Sequence, residues 1–242
     1  MDYILLAAGM GTRLHPLTLD CPKSMHVIDN DLGETIIQRM VRQIVTYDYD
    51  ANINIVVGFN YKSFFDLKFA GDVNFIYNPF YKVTNSIASL WFAKNILLET
   101  SNVTIINSDV VVSDKLFSEI IAKPVKSPTI LYDSRVKFDG DYNVDVESGF
   151  VTVMSKELTS YEGEYAGVTK LDKEGSVELY GEMNNMVESD QYDQWYENAL
   201  VKLIFKHGFK IKAVDISSYS WIEIDDVNDM AQAKKIVRSD IP

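Results

Sequence analysis

The chain has 242 residues, of which 47% are hydrophobic, so it can form a globular domain with a large buried core. Its net charge of −12 argues against a nucleic-acid-binding protein, and no apolar run reaches the ~18 residues that a membrane helix needs. Cys21 is the only cysteine, and the N-terminus leads into a strand without a signal peptide. Together these features predict a cytoplasmic protein.

Strand and helix patterns alternate in the first half of the chain. Apolar residues spaced three or four positions apart, such as Ile37, Val41 and Ile44, predict amphipathic helices. In chain order we predict a strand at 3–6, a helix at 34–48, strands at 53–57 and 73–77, a helix at 86–98, a strand at 103–106, a helix at 114–122 and a strand at 129–132. This order is typical of an α/β fold with a Rossmann-like, doubly wound, mostly parallel mixed sheet.

The second half of the chain is less regular. Antiparallel strands are predicted near 149–153 and 165–168, where they would form a small lobe. Helices at 173–188 and 194–207, strands at 210–215 and 220–224, and a helix at 227–237 follow. Because no linker or repeat interrupts the sequence, we expect a single domain over residues 1–242, with residues 138–190 as an insertion.

A glycine-containing turn follows the first strand. Gly9 and Gly11 let the backbone approach a ligand closely, and Arg13 and Lys23 add positive charge, which predicts a nucleoside triphosphate site. The two common nucleotide loops are excluded. A dinucleotide fingerprint needs a third glycine where Leu14 stands, and a P-loop needs Gly-Lys-Ser/Thr at residues 14–16, which read Leu-His-Pro.

Carboxylates follow two of the later strands. Asp109 comes just after the strand at 103–106, at the edge where open α/β sheets bind ligands. Strand alternation points Glu223 and Asp225 to one side and Ile224 to the other. Three carboxylates at one place would make an oxygen site suited to Mg²⁺. Asp226 is interpreted instead as the N-cap of the following helix.

Two stretches of the sequence resemble the sugar-phosphate nucleotidyltransferases. Residues 9–23 fit the signature G-x-G-T-R-L-x-P-L-T-x-x-x-P-K, and residues 221–229 fit a W-x-E-I-D-x-x-x-D pattern. The resemblance implies the nucleotide-diphospho-sugar transferase fold and transfer of a nucleotidyl group to an acceptor phosphate, with release of pyrophosphate. It also implies that Asp109 and Asp225 hold the catalytic Mg²⁺, with Glu223 as a possible third ligand.

The same resemblance assigns roles around the turn. Arg13 would bind the β- and γ-phosphates bidentately, and Lys23 would act as a point charge near the reacting phosphates. The remaining nucleotide contacts are expected from Leu6, Ala7, Ala8, Gly9, Gly11 and Thr12. No general base is needed, because a phosphate monoester is already anionic near neutral pH. This agrees with three histidines, His15, His26 and His207, that form no obvious catalytic pair.

Residues 78–91 resemble the phosphocholine cytidylyltransferase-like subgroup. The shared features are Tyr81, the triplet Thr84-Asn85-Ser86 and a helix that reads S-L-x-x-A at residues 89–93. The resemblance implies that the nucleotide is CTP. It also implies that the product is a precursor of a surface polysaccharide or lipid. Asn85, Ser86 and Gly58 are candidate base-reading groups, although Asn85 would also serve as a helix cap.

The acceptor is expected to contact aromatic residues. A quaternary ammonium would need an aromatic cage and a carboxylate, and the candidates are Tyr81, Tyr165, Tyr192, Asp193, Trp195, Tyr196 and Trp221. For any single aromatic residue in this group, a place in the helix core is the alternative interpretation. The sequence does not separate phosphocholine from phosphoethanolamine, another amino-alcohol phosphate, an amino-acid-derived phosphate or a phosphonate.

Three other functions fit the sequence less well. A sugar-1-phosphate uridylyl- or thymidylyltransferase shares the first signature but has less support around Asn85. A non-catalytic nucleotide-binding module would be expected to lose Lys23, Asp109 or Asp225, and all three are present. A dehydrogenase is disfavoured by the missing third glycine. The predicted partners are therefore a nucleoside triphosphate and a small phosphorylated acceptor, bound by a monomer or homodimer.

Overall fold

A computed structural model describes residues 1–136 and 142–240. The strands are β1 (Asp2–Ala7), β2 (Val27–Asp29), β3 (Glu34–Thr35), β4 (Asn52–Val57), β5 (Asn74–Tyr77), β6 (Asn102–Asn107), β7 (Val110–Val112), β8 (Thr129–Asp133), β9 (Asn143–Glu147), β10 (Phe150–Ser155), β11 (Gly163–Asp172), β12 (Lys212–Asp215) and β13 (Trp221–Glu223). The helices are α1 (Ile36–Tyr47), α2 (Ser86–Phe92), α3 (Lys94–Glu99), α4 (Asp114–Leu116), α5 (Lys173–Glu188), α6 (Glu197–His207) and α7 (Val227–Ser239). Helix α4 continues as a π-helix over Phe117–Ile121, and short 3₁₀ turns lie at Thr12–Leu14, Lys23–Met25 and Tyr61–Asp66.

The central sheet has nine strands among the described residues, in the order β5-β4-β1-β6-β11-β8-β12-β10-β9. Strands β5, β4, β1 and β6 are parallel neighbours, which brings the carboxyl ends of β1, β4 and β6 to one edge. Strand β11 lies antiparallel between β6 and β8. The mostly parallel mixed sheet predicted from the sequence is therefore confirmed.

Both faces of the sheet are covered by helices. Along β1, Ile4 packs into a cluster with α2, α3, α5 and α6, whereas Tyr3 and Leu5 pack into a second cluster with α1 and α4. This alternation is expected of a strand that is buried on both faces. It explains why the apolar run near the N-terminus is continuous.

Most predicted helices start or end close to the expected residue. Helix α1 begins at Ile36 because Thr35 and Gln38 form a capping box, with Gln38 N donating to Thr35 Oγ1 at 3.3 Å. The single helix predicted over 86–98 is wrong. The chain leaves helical geometry at Ala93, which is buried, so that α2 and α3 both pack their apolar residues against the same core cluster.

The predicted lobe belongs largely to the central sheet. The strand predicted at 165–168 is part of the longer β11, whose pairing with β8 shifts register between Tyr165 and Thr169. Strands β9 and β10 form an antiparallel pair at the edge of the sheet. Residues 138–141 of the predicted insertion lie outside the described residues, and the division of the domain at 138–190 stays a prediction.

Helix α7 packs beside the first turn of the chain. Ala233 and Val237 of α7 join Leu14, Val111 and Ile224 in a third apolar cluster. Because that cluster includes residues close to the glycines and to the late carboxylates, it fixes these two segments relative to each other. Within residues 1–136 and 142–240, no helix combines the length and apolar character that crossing a membrane requires.

Candidate functional site

The glycine turn, residues 8–14, leaves the carboxyl end of β1. Gly11 has a φ of +60°, a left-handed conformation that favours glycine. A Cβ at this position would also lie 3.3 Å from the Lys23 Cβ and 3.3 Å from the Thr18 Cγ2. Thr18 Oγ1 donates a hydrogen bond to the Gly11 carbonyl at 2.6 Å. The turn therefore packs directly against the segment that carries Lys23.

Lys23 reaches across the edge of the sheet to two carboxylates. Its Nζ donates to Asp109 Oδ2 at 2.9 Å, to Asp225 Oδ1 at 3.1 Å and to the Ile224 carbonyl at 2.5 Å. The side chain is only 10% exposed. Burial alone would lower the pKa of Lys23, but Asp109 and Asp225 outweigh burial and raise the pKa above its usual value. The amine therefore stays protonated.

Asp109, Glu223 and Asp225 form one carboxylate cluster. One oxygen from each lies within 4.8 Å of the others. Strand β13 pairs antiparallel with β7, with Glu223 opposite Val110, which brings the late strand beside Asp109. Ile224 is buried on the opposite side, as the alternation predicted. Carboxylate oxygens are the ligand type that hard divalent cations prefer, so these three side chains are the candidate metal ligands.

Arg13 closes the cluster on the solvent side. Its Nη1 lies 2.6 Å from Asp225 Oδ2, and its side chain is 51% exposed. In this structure Arg13 and Lys23 therefore both contact Asp225, from two directions. The glycine turn and the carboxylates, predicted separately, form one site.

Asp226 has a structural role, as expected. Its Oδ1 accepts hydrogen bonds from Asn228 N at 2.6 Å and from Asp229 N at 3.0 Å. In turn, Asp229 Oδ2 accepts a hydrogen bond from the Asp226 N–H at 2.9 Å, which completes a capping box. This cap starts α7 directly after Asp225. The cap fixes the backbone next to the cluster.

Gly58, Ala8 and Tyr81 meet at the other side of the turn. Phe59 N donates to the Ala8 carbonyl at 3.0 Å, which joins the loops after β4 and β1. A Cβ at Gly58 would lie 2.7 Å from the Ala8 carbonyl oxygen and 2.7 Å from the Tyr81 Cβ. Only glycine fits between the two loops without moving one of them.

Asn85 and Ser86 connect this side to the segment before α6. Asn85 caps α2, with its Oδ1 accepting from Ser86 N at 2.8 Å. The Ser86 hydroxyl accepts from Tyr196 N at 3.0 Å, and Asn85 N donates to the Tyr192 carbonyl at 3.1 Å. The cap interpretation of Asn85 is confirmed. The Ser86 oxygen is used as an acceptor by the backbone of Tyr196.

Two adjoining cavities open at this edge of the sheet. The first, about 290 Å³, is lined by Leu6, Ala7, Gly9, Gly11, Thr12, Arg13, Lys23, Ser24, Asn85, Ser108 and Asp109. The second, about 240 Å³, is lined by Leu6, Ala8, Gly9, Arg13, Tyr81, Thr84, Asn85, Ser86, Ser89, Asn107, Asp109, Tyr142, Lys156, Tyr165, Trp195, Glu197 and Glu223. The two cavities share the lining residues Leu6, Gly9, Arg13, Asn85 and Asp109, so they adjoin beside the carboxylate cluster.

The second cavity has an aromatic end, lined by Tyr142, Lys156, Tyr165, Trp195 and Glu197. Sequence reasoning identified Tyr165 and Trp195 and missed the other three. Neither a motif nor a spacing marks Tyr142 or Lys156, which are brought here by the β9–β10 pair. Asp193 is exposed and lines a neighbouring cavity together with Lys156 and Trp195.

Tyr196 and Trp221 are among the predicted acceptor contacts that do not line the aromatic end. Tyr196 is 0% exposed, and its hydroxyl lies 2.5 Å from the Tyr165 hydroxyl in a buried network with Thr169. The core interpretation of Tyr196 is therefore correct. Trp221 lies in a separate cavity that also includes Glu223 and Asp225, where its Nε1 donates to Asp133 Oδ2 at 2.8 Å.

Glu197 is a buried carboxyl group at the start of α6. It is 5% exposed and accepts a hydrogen bond from the Asn107 side chain. Burial raises the pKa of Glu197 to about 7, with a smaller contribution from Asp109, while Asn107 and Lys156 oppose the rise. A carboxyl group with such a pKa, at the wall of a cavity, is characteristic of functional sites.

This shift predicts a pH-dependent effect of Glu197→Gln on stability. Because the folded-state pKa lies above the ordinary glutamate value, ionisation of Glu197 disfavours the folded state. The penalty is absent below about pH 4.5 and grows to about 3 kcal/mol above about pH 7. We therefore expect the variant to unfold at a higher temperature than the wild type at about pH 8, and to lose this advantage near pH 4.5. Thermal unfolding of both proteins across this range measures the difference, and a constant difference would contradict the assignment.

Comparisons with known proteins agree with this site. The nucleotidyl transferase family model matches residues 2–131. The chain is 23% identical to the CTP:phosphoglutamine cytidylyltransferase of Campylobacter jejuni, over 95% of this chain and 98% of that protein. It is also 23% identical to the choline-phosphate cytidylyltransferase of Streptococcus pneumoniae, over 99% of this chain and 100% of that protein.

A solved structure shares the fold. The CTP:phosphocholine cytidylyltransferase from Streptococcus pneumoniae superposes with a TM-score of 0.80 at 21% identity, covering 98% of each chain. The family match spans more than half of this sequence and includes the glycine turn, Lys23 and Asp109. The chain therefore belongs to the nucleotidyl transferase family of enzymes.

Proposed function

We propose that this enzyme transfers CMP from CTP to a small phosphorylated alcohol and releases pyrophosphate. The observation that carries the proposal is the arrangement of the site: the cavity that Lys23 lines and the cavity with the aromatic end share Asp109 in their walls. A nucleotide and an acceptor placed in the two cavities would meet beside the carboxylate cluster. The two relatives named above are both cytidylyltransferases by name, which supports CTP as the nucleotide.

The triphosphate is assigned to the first cavity, and the base and ribose are assigned to the part of the second cavity beside Ala8, Tyr81 and Asn85. Backbone groups of the two loops and the Asn85 amide supply donors and acceptors there. The acceptor is assigned to the aromatic end. Tyr142, Lys156 and Tyr165 of that end come from residues 138–190, which supports an acceptor-side role for the predicted insertion.

A divalent metal completes the site. Nucleotidyl transferases generally use divalent metal ions. The donor set of the carboxylate cluster suits Mg²⁺, which would be held by Asp109 and Asp225 with Glu223 as a further ligand. When bound, the metal would neutralise phosphate oxygens and help to align them.

Apart from metal binding, the enzyme has to align the acceptor phosphate with the triphosphate and neutralise their negative charge. An oxygen of the acceptor phosphate forms a bond to the α-phosphorus of CTP, and the bond to the β-phosphate oxygen breaks, which releases pyrophosphate. The acceptor oxygen is already deprotonated, so no base is required. Arg13 and Lys23 exchange their present carboxylate partners for phosphate oxygens and stabilise the charge that develops on the leaving group.

The fit of Gly58 between two loops predicts an effect on nucleotide affinity. In Gly58→Ala the new methyl group would push the Ala8 or Tyr81 backbone away from its position. We expect KM for CTP to rise by about tenfold to a hundredfold. Gly181→Ala is the matched control, since a Cβ at Gly181 meets nothing within 4 Å. Steady-state kinetics of both variants test this, and equal KM values would contradict it.

A substrate matrix tests the proposed function. Pyrophosphate release is measured with each of CTP, UTP, dTTP and ATP against phosphorylated amino alcohols, phosphoglutamine and sugar 1-phosphates, with Mg²⁺ present. The expected result is release that depends on CTP and on a phosphorylated alcohol. Release only with UTP or dTTP and a sugar 1-phosphate would contradict the proposal and favour a sugar-nucleotide enzyme.

A further inference from the structure

The aromatic rings at the far end of the second cavity pack against one another. The Tyr142 ring meets the Trp195 ring at a centroid distance of 5.5 Å and the Tyr165 ring at 6.3 Å, both edge to face. An open cage for a trimethylammonium group needs ring faces turned toward the ligand. Here a large part of the aromatic surface is used in ring–ring contacts.

Lys156 covers a face of Trp195. Its Nζ lies 4.0 Å from the centroid of the indole ring, well within the range of a cation–π contact. The ammonium group of the chain thus occupies the position over Trp195 that a cationic ligand would need. A trimethylated headgroup would have to displace Lys156 to reach this ring face.

Glu197 offers a different kind of contact in the same cavity. The carboxylate is nearly buried, lines the cavity, and is held by the Asn107 side chain. The hydroxyls of Tyr165 and Tyr196 are directed to each other and to Thr169. A carboxylate accepts hydrogen bonds from N–H groups, which a primary ammonium has and a trimethylammonium lacks.

We propose that the acceptor carries a primary ammonium group, which binds to the Glu197 carboxylate, and that Lys156 on Trp195 excludes the trimethylated equivalent. This inference rests on the proposed function, because it concerns the acceptor of the same transfer. It narrows the acceptor class to phosphorylated alcohols that carry a primary amine, and it replaces the aromatic cage expected from the sequence with an ion pair to Glu197.

A methylation series tests the inference. Phosphoethanolamine and its N-methyl, N,N-dimethyl and N,N,N-trimethyl derivatives are each offered with CTP and Mg²⁺. We expect kcat/KM to fall along the series, by at least about tenfold from the primary to the trimethylated compound. Equal or rising kcat/KM would overturn the inference. Activity confined to sugar 1-phosphates would also overturn it while leaving nucleotidyl transfer intact.

Two variants separate selectivity from general damage. Lys156→Ala should raise the ratio of trimethylated to primary activity by at least about tenfold, because it uncovers the Trp195 face. Glu197→Gln should reduce activity on the primary amine more than on the trimethylated compound. A general structural defect would lower the activity on every acceptor by the same factor. An unchanged ratio of trimethylated to primary activity in both variants would therefore overturn the inference. Loss of pyrophosphate release from the wild type with every nucleotide and acceptor would instead refute the proposed function.

Discussion

Lys23→Met is expected to lower kcat by about a thousandfold while the protein stays folded. The amine is far more buried than the Arg13 guanidinium and contacts both Asp109 and Asp225. A positive charge in such a sheltered place stabilises developing negative charge far more than one in water. Methionine keeps the length of the side chain and removes only the charge and the hydrogen-bond donors.

A binding measurement accompanies the kinetics. Without the Lys23 ammonium, the carboxylate cluster loses an internal cation, so we expect Mn²⁺ to bind the nucleotide-free variant at least about tenfold more tightly than the wild type. Lys235→Met is the control: it removes a lysine from the exposed face of α7 and should change neither kcat nor the affinity for Mn²⁺. Weaker Mn²⁺ binding, or near-normal turnover in a folded Lys23 variant, would contradict the assignment.

Asp225→Asn is expected to lower kcat by about a thousandfold, whereas Asp226→Asn changes it by no more than about twofold. Asp225 contacts Lys23 through one oxygen and Arg13 through the other, and it belongs to the carboxylate cluster. Asparagine cannot neutralise these cations or a bound metal. Asp226 caps α7, and asparagine is an equally good N-cap.

The two substitutions form a matched pair. Each removes one negative charge, at adjacent positions, so any effect of net charge on the triphosphate is the same in both variants. The difference in kcat therefore reports the direct contacts of Asp225. Similar losses in the two variants would show that the local field or the start of α7, rather than the Asp225 carboxylate, controls the rate.

The charged half of the site could be predicted because it depends on local sequence. Asp109 and the glycine turn each follow a buried parallel strand, and such strands end at one edge of the sheet. Glu223 and Asp225 alternate with Ile224, whose burial fixes their side. These signals need only the strand assignment, and the structure brings all three carboxylates and both cations together.

The acceptor half depends on contacts between distant residues. Glu197 lies in the first turn of α6, where an acidic residue is ordinary because of the helix dipole, so its position in the sequence does not mark it. The helical spacing of Tyr196, Leu200 and Leu203 indicates a core face, and all three are buried. Lys156 reaches Trp195 only because β10 joins the edge of the sheet beside α6.

Isotope tracing tests the central claim most directly. The enzyme is given CTP, Mg²⁺ and an acceptor whose phosphate oxygens carry ¹⁸O, and the products are analysed by mass spectrometry. If the acceptor phosphate attacks the α-phosphorus, the cytidine product retains all of the acceptor label and the released pyrophosphate carries none. Label in pyrophosphate, or CMP formed at the same rate without acceptor, would contradict nucleotidyl transfer at this site.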